Sequence, residues 1–219
     1  MSQTRGSVIV LGGGVVGLSI AYELAGRGWR TTVIDRIQQH PSASWAGAGI
    51  LMPYNSQAST HPMEQLCAIS NSIHAQWHQQ FLSESGINNE YRICGGVYLA
   101  RSVGELGALV GQEDYWRSEQ IRFETLDPND LGPTFGFIAD QQWKRVTWLP
   151  DEAQVRNTRH LAALRAGINS RGSSILETKQ TPKIVQGDST WQVELESTTL
   201  QADYFCLSAE SGPTKLQLR

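Results

Sequence analysis

Gly12, Gly14 and Gly17 follow the apolar run Val8 to Leu11 and complete a G-x-G-x-x-G spacing. Three positions without side chains, so spaced, have a defined chemical use. The first lets the chain turn tightly off a strand, the second lets a pyrophosphate approach the backbone, and the third lets a helix pack closely on the strand. Free N–H groups at the helix start, with the positive end of the helix dipole behind them, then face phosphate oxygens. Asp35 closes the next β-rich run, 21 positions after Gly14. A carboxylate there accepts hydrogen bonds from the hydroxyls of an adenosine ribose and repels a 2′-phosphate. Spacing and context together predict a site for an adenine dinucleotide. Both nicotinamide and flavin dinucleotides use this motif, so an NAD-dependent oxidoreductase stays open on the motif alone.

The elements that must position these residues are legible around them. Val8 to Leu11 is an all-apolar strand of the kind covered on both faces. Val15 to Arg27 reads as a helix with Val16, Ile20 and Leu24 on one face, ended by Gly28 in the left-handed conformation. Thr31 to Ile34 is the second strand, giving a right-handed βαβ unit. Small side chains then dominate Ala43 to Ile50, which suits backbone lying against a large flat ligand, and Ser44 is placed to cap a short helix aimed at the pyrophosphate.

Pro62 to Gly86 reads as a helix with Leu66, Ile69, Ile73, Trp77 and Phe81 along its apolar stripe. Val97 to Ala100, Phe123 to Leu126 and Val146 to Leu149 are strand candidates, and Val103 to Gln120 is a glycine-interrupted helix. After Pro150 the α/β pattern returns, with a helix over Asn157 to Arg171 and a strand over Ser174 to Thr178. Ile184-Val185, Trp191 to Leu195 and Tyr204 to Leu207 suggest a small antiparallel meander.

Other chemistries fit less well. Eighteen basic residues against 21 acidic ones leave a net charge of -3 with no Lys/Arg cluster, which argues against a nucleic-acid partner. No apolar run reaches bilayer length, so no membrane association is expected. Nor is a secretory leader: the first apolar run ends in glycines, and Glu23, Arg27 and Arg30 follow. Cys67, Cys94 and Cys206 are scattered, as reduced thiols of a cytoplasmic protein are. His74 and His78 stand four apart but have no third metal ligand, and read as a solvated helix face; no metal is expected. Glu113-Asp114 reads as an exposed acidic pair, and Ser44 lacks a G-x-S-x-G elbow.

Val8 to Gly17, Asp35-Arg36 and Ala43 to Leu51 together resemble the glycine oxidase/D-amino-acid oxidase family, and within it the glycine oxidases of thiamine biosynthesis. Weaker likeness continues through Gly95-Gly96-Val97, Leu126-Asp127-Pro128, Asp151 to Val155 and Thr181-Pro182. The resemblance implies FAD as the cofactor. It puts Val15 and Val16 at the pyrophosphate, Asp35 and Arg36 at the adenosine, and Ala43 and Ser44 along the phosphates. It puts Ala48, Gly49 and Ile50 beside the isoalloxazine, Met52 near the substrate and the Lys183 backbone at the adenine.

The fold it implies is α/β. A glutathione-reductase-like FAD-binding domain, a Rossmann-type βαβ with an antiparallel meander, occupies 1–61 and 151–219; a partial α+β substrate domain over 62–150 interrupts it. The activity it implies is oxidation of glycine, a small D-amino acid or a secondary amine, with hydride transfer to flavin N5 and reduction of O2 to hydrogen peroxide. No acid–base side chain is required for that reaction, and none is assigned. Two departures bear on it. Family members carry a small-residue turn with glycine after the strand equivalent to Tyr204–Leu207, where this chain has Ser208-Ala209-Glu210-Ser211, and they extend well beyond the equivalent of Arg219. The expectation is therefore either a fragment or one half of a split oxidase, complemented by a C-terminal chain, or a truncated, non-catalytic FAD-binding remnant; a homo-oligomer is the alternative partner.

Overall fold

Val8, Ile9 and Val10 have no solvent-facing side, because the strand they form is covered on both faces. That strand opens the chain in the computed structural model, which describes residues 5–37, 42–129, 131–138 and 142–209. The order begins with β1 (Ser7–Leu11), α1 (Val15–Gly26), β2 (Arg30–Arg36), a short α2 (Ala43–Ala46), β3 (Ile50–Leu51) and a long α3 (Pro62–Ser85). Next come β4 (Arg92–Ile93), β5 (Gly96–Ala100), α4 (Val103–Ser118), β6 (Glu124–Leu126), a 3-10 turn over Pro133–Ile138, β7 (Arg145–Leu149) and β8 (Ala153–Gln154). The last elements are α5 (Asn157–Ser170), β9 (Ser174–Thr178), β10 (Lys183–Gln186), β11 (Trp191–Glu194), β12 (Thr199–Ala202) and β13 (Tyr204–Leu207).

Two compact units result. One comprises the described parts of Met1–Ala48, Gln79–Asn89 and Arg156–Arg219, and the other Gly49–His78 and Glu90–Val155.

The first unit is built on a parallel sheet in the order β13-β1-β2-β9. Alternation along a strand sends successive side chains to opposite faces. Ile9, Leu11 and Ile34 therefore share one face, where they bury against Ile184, Val193 and Ala202 of the antiparallel sheet β10-β11-β12. Val8, Val10 and Val33 point to the other face, the side of α1 and α5, which pack on each other and on this sheet. Each such fully buried Val, Leu or Ile contributes roughly 1.5–3 kcal/mol relative to an exposed one. Helix α1 buries Leu18, Ala21, Tyr22 and Ala25, and Gly28 ends it at φ +83°. The meander differs from the sequence expectation: its third strand is Thr199–Ala202, while Tyr204–Leu207 crosses into the parallel sheet beside β1. Short apolar strands look alike in sequence, and only the pairing partner separates them.

In the second unit α4 packs on the antiparallel sheet β5-β7-β6. Ser102 and Glu105 form a capping box at its start. Glu113 is not an exposed partner of Asp114. It is buried inside this layer, where Arg145 Nε (3.0 Å) and Nη2 donate to its carboxylate together with the Thr147 hydroxyl. Burial alone would raise the Glu113 carboxyl; the Arg145 and Thr147 hydrogen bonds and the Arg145 charge outweigh it and hold the group below the usual glutamate range. Strands β3, β8 and β4 make a second small antiparallel sheet. On α3 the apolar stripe is only partly covered: Trp77 is buried, whereas Leu66 and Ile69 are about as exposed as Met63. Periodicity tells which face is apolar, not how far along the helix a neighbour covers it. His74 is also not on a solvated face; it is buried and stacks on the Tyr91 ring at 5.9 Å, and burial lowers its pKa. Among the described residues no helix is long and apolar enough to cross a membrane.

Candidate nucleotide-binding site

The glycine turn leaves the C-terminal end of β1, between β13 and β2. Gly12 adopts φ +115°, a region that penalises any Cβ, and its N–H donates to the Ile34 carbonyl at 2.8 Å. A Cβ at Gly12 would come within 2.5 Å of the Ser208 carbonyl oxygen, one at Gly13 would strike the Asp35 carboxylate, and one at Gly17 would strike the Gly12 carbonyl. Gly14, the N-cap of α1, differs from these three: the nearest atom to its Cβ would be Ser44 Oγ at 3.1 Å. The turn is thus packed tightly beneath by strand, helix and Asp35, and Gly14 marks its less crowded position. A cradle of this shape fits a dinucleotide pyrophosphate, because backbone amides are reachable only where side chains are missing.

Around it the first unit gathers several expected residues. Val15 and Val16 open α1 and are exposed. The Val15 N–H donates to Ser44 Oγ at 3.0 Å. Ser44 lies within α2 rather than capping it; the N-cap is Ser42, whose hydroxyl accepts from the Trp45 N–H. Ser44 is in turn held through its carbonyl, which accepts from Asn157 Nδ2 at 3.2 Å. Ala43 is the first residue of α2. Asp35 and Arg36 end β2; Asp35 is buried, and Arg36, which is exposed, donates its N–H to Asp35 Oδ1 at 3.0 Å. Arg165 Nη2 on α5 donates to Asp35 Oδ2 at 2.7 Å.

The remaining expected residues lie on other elements or on the segments beside them. Lys183 starts β10, pairs in register with Glu194, and donates its ammonium to both Glu194 oxygens at 2.8 Å. Ala48 is exposed at the end of a first-unit segment. Gly49, Ile50 and Met52 belong to the second unit. There Gly49 has φ +76° and accepts from the Val155 N–H at 2.8 Å, and Ile50 is exposed opposite Gln154. Met52 accepts from Asn71 through its carbonyl, and its sulfur lies 2.9 Å from the Tyr98 hydroxyl, which also donates to the buried Glu152 at 2.5 Å. Glu210 and Ser211 lie outside the described residues.

Two side chains at the cradle, Asn157 and Arg165, were not singled out by sequence reasoning; Ser208, read there as part of a departure from the family's glycine turn, also meets it. The Ser208 N–H donates to the Leu11 carbonyl at 2.8 Å, which sets its own carbonyl against Gly12. Asn157 and Arg165 sit on a helix more than a hundred residues from their partners, and no spacing rule reaches that far.

A glycine turn at the end of the first parallel strand, a helix start behind it and an acidic residue at the end of the second strand define a dinucleotide-binding fold. The chain belongs to the FAD dependent oxidoreductase (DAO) family, which it matches over residues 7–216. FAD is the cofactor of that family. A bifunctional protein ThiO/ThiG of Nostoc sp. is 28% identical over 95% of this chain, which covers 31% of that protein. A glycine oxidase of Pseudomonas aeruginosa is 30% identical over 74% of the chain, covering 43% of the oxidase. The crystal structure of glycine oxidase from Geobacillus kaustophilus superposes with a TM-score of 0.79 at 22% identity, over 94% of this chain and 56% of that one. This last likeness is one of fold.

Proposed function

We propose that the chain binds FAD with the pyrophosphate over Gly12 to Gly17 and the adenosine ribose at Asp35, and that it serves an oxidase of glycine, a small D-amino acid or a secondary amine. The observation that carries the reading is the cradle itself, in which Gly12, Gly13 and Gly17 admit no side chain and Gly14 stands at the start of α1. Family membership supports FAD over NAD. The names of the glycine oxidase and ThiO/ThiG relatives support the substrate class and a link to thiamine biosynthesis.

When bound, FAD would supply the two-electron redox chemistry of amine oxidation, with O2 as the final electron acceptor. The protein's share is binding and orientation. The amides at the start of α1 and the helix dipole balance the diphosphate charge, and the Asp35 carboxylate accepts from the ribose hydroxyls. Ala43 and Ser44 border the phosphates; Arg36 and the Lys183 backbone border the adenosine. Ala48, Gly49 and Ile50 border the isoalloxazine. Met52, fixed by Asn71 and Tyr98, borders the substrate.

The test is the visible spectrum of the purified chain, before and after addition of FAD, followed by peroxide measurement with glycine, sarcosine and D-alanine. Flavin bands that stay with the protein through gel filtration are expected, with peroxide formed from at least one amine. A colourless protein that retains no added FAD would overturn the reading.

A further inference from the structure

Asp35 and Glu177 are directly opposed in the parallel pair β2–β9, so two carboxylates project from neighbouring strands at the adenosine end of the cradle. Like charges so placed repel, and one of them, Asp35, is only 8% exposed. Arg165 resolves both problems. Its Nη2 donates to Asp35 Oδ2 at 2.7 Å, while Nη1 lies 3.7 Å from Glu177 Oε1. The guanidinium is planar and its donors are splayed, so two anchors fix its direction. Asp35 Oδ1 is fixed from the other side by the Arg36 N–H at 3.0 Å, and the carboxylate as a whole rests against Gly13. A carboxylate accepts about four hydrogen bonds. Among the described residues two of the acceptor positions are used, one on each oxygen, which leaves one on each for a vicinal diol.

We propose that Arg165 is a positioning residue for ribose recognition: it holds the Asp35 carboxylate in the one orientation that accepts from both hydroxyls of an adenine nucleotide. The inference rests on the nucleotide site proposed above. Arg165 acts through Asp35, so its removal erodes discrimination for the ribose hydroxyls rather than lowering affinity uniformly.

The experiment measures displacement of FAD from the holoprotein by ADP and by 2′-deoxy-ADP, read from recovered flavin fluorescence. Wild-type protein is expected to prefer ADP by about tenfold, the worth of one charge-assisted hydrogen bond. Arg165→Ala and Asp35→Asn should each reduce that preference to within about twofold, and the double variant should lose no more than Asp35→Asn alone. Preserved preference in Arg165→Ala, or additive losses in the double variant, would overturn the inference. Arg165→Lys keeps the charge without the planar fork, and carries the same test where circular dichroism finds Arg165→Ala unfolded; it must lose preference too, and an unchanged ratio overturns the proposal. Failure of wild-type protein to bind FAD at all defeats the nucleotide site and this inference together. Binding with an Asp35-dependent but Arg165-independent preference defeats the inference alone.

Discussion

The Ser44 hydroxyl accepts a hydrogen bond from the Val15 N–H at 3.0 Å, joining α2 to the first amide of α1 across 29 residues. Amides at a helix start have no partner within the helix, and they are the groups that receive an anion. Ser44 therefore does for Val15 what a phosphate oxygen would do, and it anchors α2 beside the cradle.

Replacement of Ser44 by Ala removes that bond and the anchoring of α2 to α1. A loss of about 1 kcal/mol in unfolding free energy is expected from one partly exposed hydrogen bond. Urea denaturation of the two proteins checks it, and a midpoint unchanged from wild type would contradict the role.

Gly14→Val and Gly17→Ala should fail in different ways. At Gly14 the new side chain meets Ser44 Oγ and enters the proposed pyrophosphate space, so FAD retention is lost while the fold persists. At Gly17 the new Cβ meets the Gly12 carbonyl, so helix α1 must move off its strand and stability falls by about 1–3 kcal/mol. Circular dichroism melts paired with flavin content separate the two outcomes. Full flavin in Gly14→Val would contradict the placement.

Glu113 makes part of the stability acid-sensitive. Its folded carboxyl titrates below the unfolded one, so the stabilisation is complete above the ordinary glutamate pKa and is lost as pH falls through the lower, folded value. Glu113→Gln should lower the melting temperature at neutral pH and flatten its decline in this acid window. A melting temperature that declines as steeply in the variant as in wild type would count against the assignment.

Arg171 lies 3.6 Å over the Tyr22 ring and donates from Nε and Nη2 to Glu84 Oε1 at 3.2 Å and 2.7 Å. It also donates to the Tyr22 carbonyl, so one side chain ties α1, the end of α3 and the turn after α5 together. Arg171→Lys keeps the charge but loses the planar stack and the multiple donors, at a cost of about 1–2 kcal/mol. Denaturant unfolding measures it, and a neutral substitution would show the cluster to be incidental.

The sequence by itself determined the opening βαβ unit, the glycine turn and the place of Asp35 at the end of β2. All of these depend on contacts within a few dozen residues, where strand alternation, helix periodicity and glycine spacing are direct physical signals. Only the tertiary structure decided the rest. It assigned Tyr204–Leu207 to the parallel sheet, which brings Ser208 against Gly12. It gave the α2 cap to Ser42 and freed Ser44 for Val15. It buried Glu113 against Arg145 and set Arg165 between Asp35 and Glu177. Each of these depends on which partner packs across a layer, and packing partners distant in the chain leave no mark in local composition or period.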